Sequence, residues 1–148
     1  VELGVDCLLG GTDVAAMQDI LRKSETRCYP FAGHPQGHPT RLGGKPQDIE
    51  AHCRDFVARG CAGADLLAYR ATEADPISLI RAAKQGLGEK RLIVAGSIVS
   101  RAQIRAIAAA GADAFTVGSA ALDGRYAPDM GSVLSQLNAI QVDLEPVR

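Results

Sequence analysis

Arg91-Leu92-Ile93-Val94-Ala95-Gly96-Ser97-Ile98 and Ala114-Phe115-Thr116-Val117-Gly118-Ser119-Ala120 decide how this chain is read. Each is a short apolar run ending in Gly-Ser, and one helix-patterned stretch separates them. A nearly continuous apolar run of this length predicts a strand covered on both faces. The glycine lets the backbone turn sharply and leaves room for a ligand to approach the main chain. The serine adds a hydroxyl and a backbone N–H. After Gly118-Ser119, the stretch Ala120-Ala121-Leu122 can begin a short helix whose free N–H groups face the turn, an arrangement that attracts anions.

Working outward, three more apolar runs precede these two: Val5 to Leu9, Arg27 to Phe31, and Ala64 to Tyr69. The first and third read as strands buried on both faces. The second is weaker, because Pro30 removes a ladder donor and marks the end of its strand. Helical patterns lie between the runs. Val14 to Lys23 follows Thr12 or Asp13 as cap, with Val14, Met17, Ile20 and Leu21 on one face. Pro46 to Arg59 carries Ile49, Cys53, Phe56 and Val57 as its stripe and ends before Gly60. A third helix opens at Asp75-Pro76 and stops near Gly86 or Gly88, burying Ile77, Ile80 and Ala83. A fourth opens at Ser100 with Gln103 placed for a capping box, buries Ile104, Ile107 and Ala108, and stops at Gly111. A fifth covers Gly131 to Ile140. Strand and helix therefore alternate five times, which predicts one α/β domain over residues 1–148 with parallel strands and right-handed crossovers.

Composition removes several functional classes. The chain has 148 residues, 47% of them hydrophobic and 22% charged, with a formal net charge of −1. That balance offers no basic surface for nucleic acid or an acidic membrane, and the absence of Trp argues against base stacking. No apolar run approaches the roughly 20 residues that span a bilayer, and no secretory signal is legible. Cys7, Cys28, Cys53 and Cys61 form no C-x-x-C pair and read as reduced thiols of a cytoplasmic protein, not as a disulfide framework or a zinc site. Walker-type and Gly-x-Gly-x-x-Gly motifs are absent.

The stretch Arg91 to Ile98, together with Ala108-Ala109-Ala110-Gly111-Ala112-Asp113 and the run on to Ala120, resembles strands seven and eight of phosphate-binding (β/α)8 barrels. That superfamily includes ribulose-phosphate-binding barrels, tryptophan, histidine and thiamin biosynthesis barrels, and keto-acid aldolases. The resemblance is specific over Arg91 to Leu122; elsewhere it is only the repeating βα pattern. It implies that Gly96, Ser97, Gly118 and Ser119 hold a phosphate. A complete barrel has eight units and typically about 250 residues. The five units here would be strands four to eight, with the N-terminal units missing and self-association or a complementing chain expected to cover the exposed edges. The alternative is an open flavodoxin-like sheet with the same local pattern.

Function in such folds gathers at the carboxyl ends of the strands. There the segment Gly33 to Lys45 reads as a long substrate-binding loop carrying His34, His38, Arg41 and Lys45. His34 and His38 are candidate acid–base groups. Pro35 and Gly37 weigh against a helical metal-binding pair, and no metal is expected. His52, inside a helix, reads as structural or exposed. Arg70 could clamp a carboxylate or phosphate, and Glu73 could act as a base; the plain alternative is a salt bridge between the two. Asp6 lies inside the first strand and would point into a barrel interior, where a charge is costly unless paired. Lys23, Lys45, Lys84 and Lys90 lie outside the strands, which argues against Schiff-base chemistry.

The expectation is an enzyme acting on a phosphorylated sugar or sugar acid by proton transfer: an isomerase, epimerase or lyase without a cofactor. Its rivals are a barrel binding flavin mononucleotide, and a non-catalytic module that senses a phosphorylated metabolite.

Overall fold

The computed structural model describes residues 4–144. Two caps written in the sequence start the early helices. The Asp13 carboxylate accepts the Ala16 N–H at 3.0 Å and opens α1, Val14–Leu21. At α2, Pro46–Ala58, Asp48 reaches back to accept the Lys45 N–H at 2.8 Å, and Pro46 supplies the pre-set first turn. Before them stand β1, Cys7–Leu9, and β2, Arg27–Tyr29, paired in parallel.

The segment expected to be a loop holds a hairpin. Strands β3, His34–Gln36, and β4, Arg41–Gly43, pair antiparallel, with Leu42 fully buried beneath them. Pro35 and the flanking glycines hide any strand signal there. The pairing instead follows from the short Gly37-to-Thr40 turn and the burial of Leu42, both tertiary facts.

Strand β5, Gly63–Leu66, follows and leads into a single 3-10 turn, Ala68–Arg70. Asp75 caps α3, Pro76–Leu87, by accepting the Ser78 N–H at 2.9 Å. Strand β6, Arg91–Val94, comes next. Ser100 then accepts the Gln103 N–H to open α4, Arg101–Ala109. The capping box is altered: the Gln103 side chain accepts from Val99, one residue before the cap. Strand β7, Ala114–Phe115, the short α5, Ser119–Leu122, and α6, Val133–Leu144, complete the described chain. The last helix begins later than its apolar pattern suggests, because Ser132 accepts the Ser135 N–H and caps there.

The five parallel strands stand side by side in chain order. β5 pairs with β6 and β6 with β7. β2 joins β5 through three backbone bonds, Ala62 N–H to Cys28 O at 3.1 Å, Asp65 N–H to Pro30 O at 2.9 Å, and Ala32 N–H to Asp65 O at 3.0 Å. A flavodoxin-like sheet would place the first strand between the second and third. Here β2 lies between β1 and β5, so that alternative is not the one observed.

β5 and β6 are buried as expected, apart from Arg91, and Ile49, Cys53, Leu79, Ile80, Leu92 and Ile107 form the core between sheet and helices. β1 departs from expectation. Leu8 and Leu9 are 38% and 40% exposed, because β1 is an edge strand whose single described partner is β2. Asp6 precedes the strand and is exposed. Ala108, assigned to the buried stripe of α4, is exposed as well. No helix among the described residues is long and apolar enough to cross a membrane.

Helices α2 and α3 pack closely at Gly86, where an added Cβ would lie 2.4 Å from Glu50 O and 2.8 Å from Cys53 Cβ. Replacing glycine by alanine in a helix gains up to about 1 kcal/mol of propensity. A collision with a neighbouring backbone costs more, typically about 1–3 kcal/mol. Gly86→Ala is therefore expected to lose about 1–2 kcal/mol in urea unfolding, whereas Gln85→Ala, on the exposed face, stays within about 0.5 kcal/mol of the parent.

Candidate functional site

Both Gly-Ser turns leave the sheet at the same rim. Ala95 N–H still bonds Leu66 O at 2.8 Å; then Gly96 and Ser97 take φ of +83° and +62° in succession. Ser97 is the only non-glycine residue with positive φ among the described residues, and such a conformation costs an L-residue about 1–2 kcal/mol. Gly96 lacks a side chain for a visible reason: a Cβ there would sit 3.0 Å from Cγ and 3.2 Å from Nε of Arg70. The arginine thus lies across the turn. One strand on, Thr116 N–H bonds Val94 O at 3.0 Å, and Gly118 leads into Ser119 at the start of α5. Arg125 donates to Ser119 Oγ at 3.3 Å.

These turns, with Phe31, Asp65 and Leu67, line a cavity of about 250 Å³. A second, more open cavity of about 630 Å³ adjoins it, lined by Thr40, Arg41 and Arg125 among others. Arg70, Ser97 and Ser119 belong to both. Three guanidinium groups therefore surround one rim. Arg125 is already paired with Asp123 at 3.3 Å. Arg70 makes one long bond, 3.5 Å, to Thr40 O, and forms no ion pair with Glu73 or another described residue.

Five of the eight residues singled out from sequence, Arg70, Gly96, Ser97, Gly118 and Ser119, come together in this way. The other three lie elsewhere. His34 borders a separate cavity of about 710 Å³ between the start of α1 and α2, its ring edge-on to His52 at 5.1 Å. His38 is exposed in the hairpin turn. Glu73 is exposed beside Gly43. His52 accepts the Gly33 N–H through Nδ1 at 3.1 Å, a structural bond. The four cysteines are unbonded, and burial pushes Cys53 and Cys61 up to about 12, which keeps both as thiols. Among the described residues, no cluster of three or more His, Cys, Asp or Glu could hold a metal ion.

Asp65 is the residue that sequence reasoning passed over. It is 4% exposed in the middle of β5, Oδ1 has no hydrogen-bond partner, and the carboxyl joins no ion pair among the described residues. Burial pushes it from the ordinary 3.8 up to about 6. The signal was present: Asp65 is the one charge between Ala64 and Tyr69, in a run otherwise apolar except for Tyr69 itself. No protein-family model, curated protein or solved structure matches the chain.

An acid whose pKa is raised by folding favours the native state while protonated. That advantage is complete below the unfolded value of 3.8 and is lost as pH rises through about 6. Asp65→Asn removes the titration. The variant is expected to gain on the parent between about pH 4 and pH 6 and to hold a constant advantage of about 1–3 kcal/mol above that. Urea unfolding across this range checks it; a parent that is the more stable at neutral pH would show that Asp65 has a stabilising partner.

Proposed function

We propose that this chain binds a phosphorylated small molecule, a sugar phosphate or phosphorylated sugar acid, at the rim formed by Gly96, Ser97, Gly118 and Ser119, and promotes proton transfer on it. The observation that carries the reading is the cavity in which both Gly-Ser turns and the unneutralised Arg70 converge. Phosphate oxygens accept paired hydrogen bonds from the planar fork of a guanidinium. The glycines permit main-chain approach, and the serines add hydroxyl donors. The parallel strands in chain order agree with the fourth to eighth strands of a (β/α)8 barrel, the fold that the Gly-Ser turns resemble.

Titration calorimetry with inorganic phosphate tests the site. The parent is expected to bind, and Arg70→Met to bind at least tenfold more weakly, since a hydrogen bond to a charged group contributes about 1.5–3 kcal/mol. Equal binding by both proteins, or none by the parent, overturns the assignment. Flavin absorbance in the purified protein would instead favour a flavin phosphate at the same turns.

The same reading expects the exposed apolar side chains at this edge, Val5 ahead of β1 and Leu8 and Leu9 within it, to be covered by strands from a second copy or a complementing chain. Sedimentation should then show an assembly larger than one chain; a stable monomer speaks against it.

A further inference from the structure

A buried carboxylate without a partner is expensive, and folded proteins keep one where a ligand completes it. Asp65 meets that description. Its backbone is held on both sides of the sheet, by Pro30 and Ala32 on one side and by the register with Ile93 on the other, so the carboxyl cannot move away to solvent with its strand. Each neighbouring element contributes to the surroundings of the group. The chain after β2 offers Phe31, the segment after β5 offers Leu67 and Arg70, and the turns after β6 and β7 offer Ser97, Thr116 and Ser119. Asp65 and Arg70 are thus the only charged side chains among the described residues lining the cavity, and they form no ion pair with each other.

Resting on the phosphate reading above, we infer that Asp65 is a catalytic acid–base residue and that the ligand is a small aldose or ketose phosphate, its hydroxyl-bearing carbon held against Asp65 while its phosphate lies between the two Gly-Ser turns. The step is balanced without a co-reactant. The Asp65 carboxylate takes the proton from the carbon beside the carbonyl. The C–H bond breaks, an O–H bond forms on Asp65, and the electron pair becomes the double bond of an enediolate whose charge settles on the former carbonyl oxygen. The protonated carboxyl then returns its proton to the neighbouring carbon, while the remaining hydroxyl proton passes between the two oxygens. Hydrogen has moved one carbon along, and aldose has become ketose or the reverse. Removal and return of the proton by this one carboxyl use the same face of the intermediate.

A carboxyl near 6 suits the task, since a group that titrates near the working pH can both accept and release a proton. Asp65 and both Gly-Ser turns line the same cavity of about 250 Å³, so one small ligand can meet the carboxyl and the turns together.

The experiment compares the parent with Asp65→Asn in two readings. Phosphorus NMR measures the binding of inorganic phosphate. Proton NMR in heavy water measures deuterium uptake into dihydroxyacetone phosphate and glyceraldehyde phosphate, across pH. The expected result is similar phosphate affinity in both proteins, within about threefold, with deuterium uptake in the parent that rises with pH as Asp65 ionises. In Asp65→Asn the uptake falls at least about 100-fold, the usual contribution of a positioned acid–base group. Uptake at the parental rate in Asp65→Asn overturns the role of Asp65. So does a parent that binds phosphate and exchanges neither compound. A parent that binds no phosphate overturns the underlying site as well, so the two failures are told apart. Asp65→Asn should fold at least as firmly as the parent, and a lowered unfolding midpoint at neutral pH would count against the unpartnered carboxyl on which the inference stands.

Discussion

Three backbone hydrogen bonds between residues Cys28 to Ala32, in and just after β2, and residues Ala62 to Asp65, at β5, hold the two parts of this sheet together. Cys28, Pro30 and Ala32 bond Ala62 and Asp65, each bond contributing about 1 kcal/mol net. Pro30 has no N–H to give, so its carbonyl alone serves the ladder while its ring is buried. This junction sets β1 and β2 in the same parallel sense as β5, β6 and β7, and so brings every strand's carboxyl end to one rim. The Gly-Ser turns, Arg70 and Asp65 share a cavity for that reason. A slip of one residue at the junction would turn the Asp65 side chain to the opposite face of the sheet, and the cavity would lose its carboxyl.

Much of this arrangement could be read from the residues. Asp13, Asp75 and Ser100 cap the helices they precede, and Pro46 and Pro76 stand at first helical positions, because capping is a local effect set by a few neighbours. The apolar runs of β5 and β6 are buried because both faces of those strands are covered. β1 has much the same composition, yet its leucines are exposed, since coverage depends on which neighbours the fold supplies. The β3–β4 hairpin escaped notice because His34-Pro35-Gln36 carries no strand pattern; Leu42 drives it by packing at long range. The two aspartates are the most instructive case. The argument that an intrastrand charge needs a partner was applied to Asp6, which is exposed ahead of its strand. It belonged to Asp65, where the neighbouring apolar residues dominate the pattern and mask the charge.

Asp113 shows what a structural aspartate looks like in this chain. Partial burial raises its pKa, but the Leu92 N–H and the Lys84 ammonium, each 2.8 Å away, outweigh that, and Arg91 adds to them, so the carboxyl sits below its ordinary value. It ties α3 to the approach of β7. Asp65 lies deeper and has neither kind of support. A carboxylate that stabilises a fold is satisfied by it; one left unsatisfied in a formed cavity awaits something else.

The strain in the neighbouring turn points the same way. Ser97 holds a left-handed backbone that glycine would adopt without cost, and Arg70 lies in the space that any side chain at Gly96 would fill. Two unfavourable features, an unpartnered carboxylate and a strained serine, therefore border the same small cavity. Such costs concentrate where a protein works, because the surrounding fold can bear them. Arg70 supplies the complement. Like Arg41, it joins no ion pair among the described residues, whereas Arg125 already has Asp123. The proposed ligand would meet Arg70 with its anionic end and Asp65 with a hydrogen it can give up.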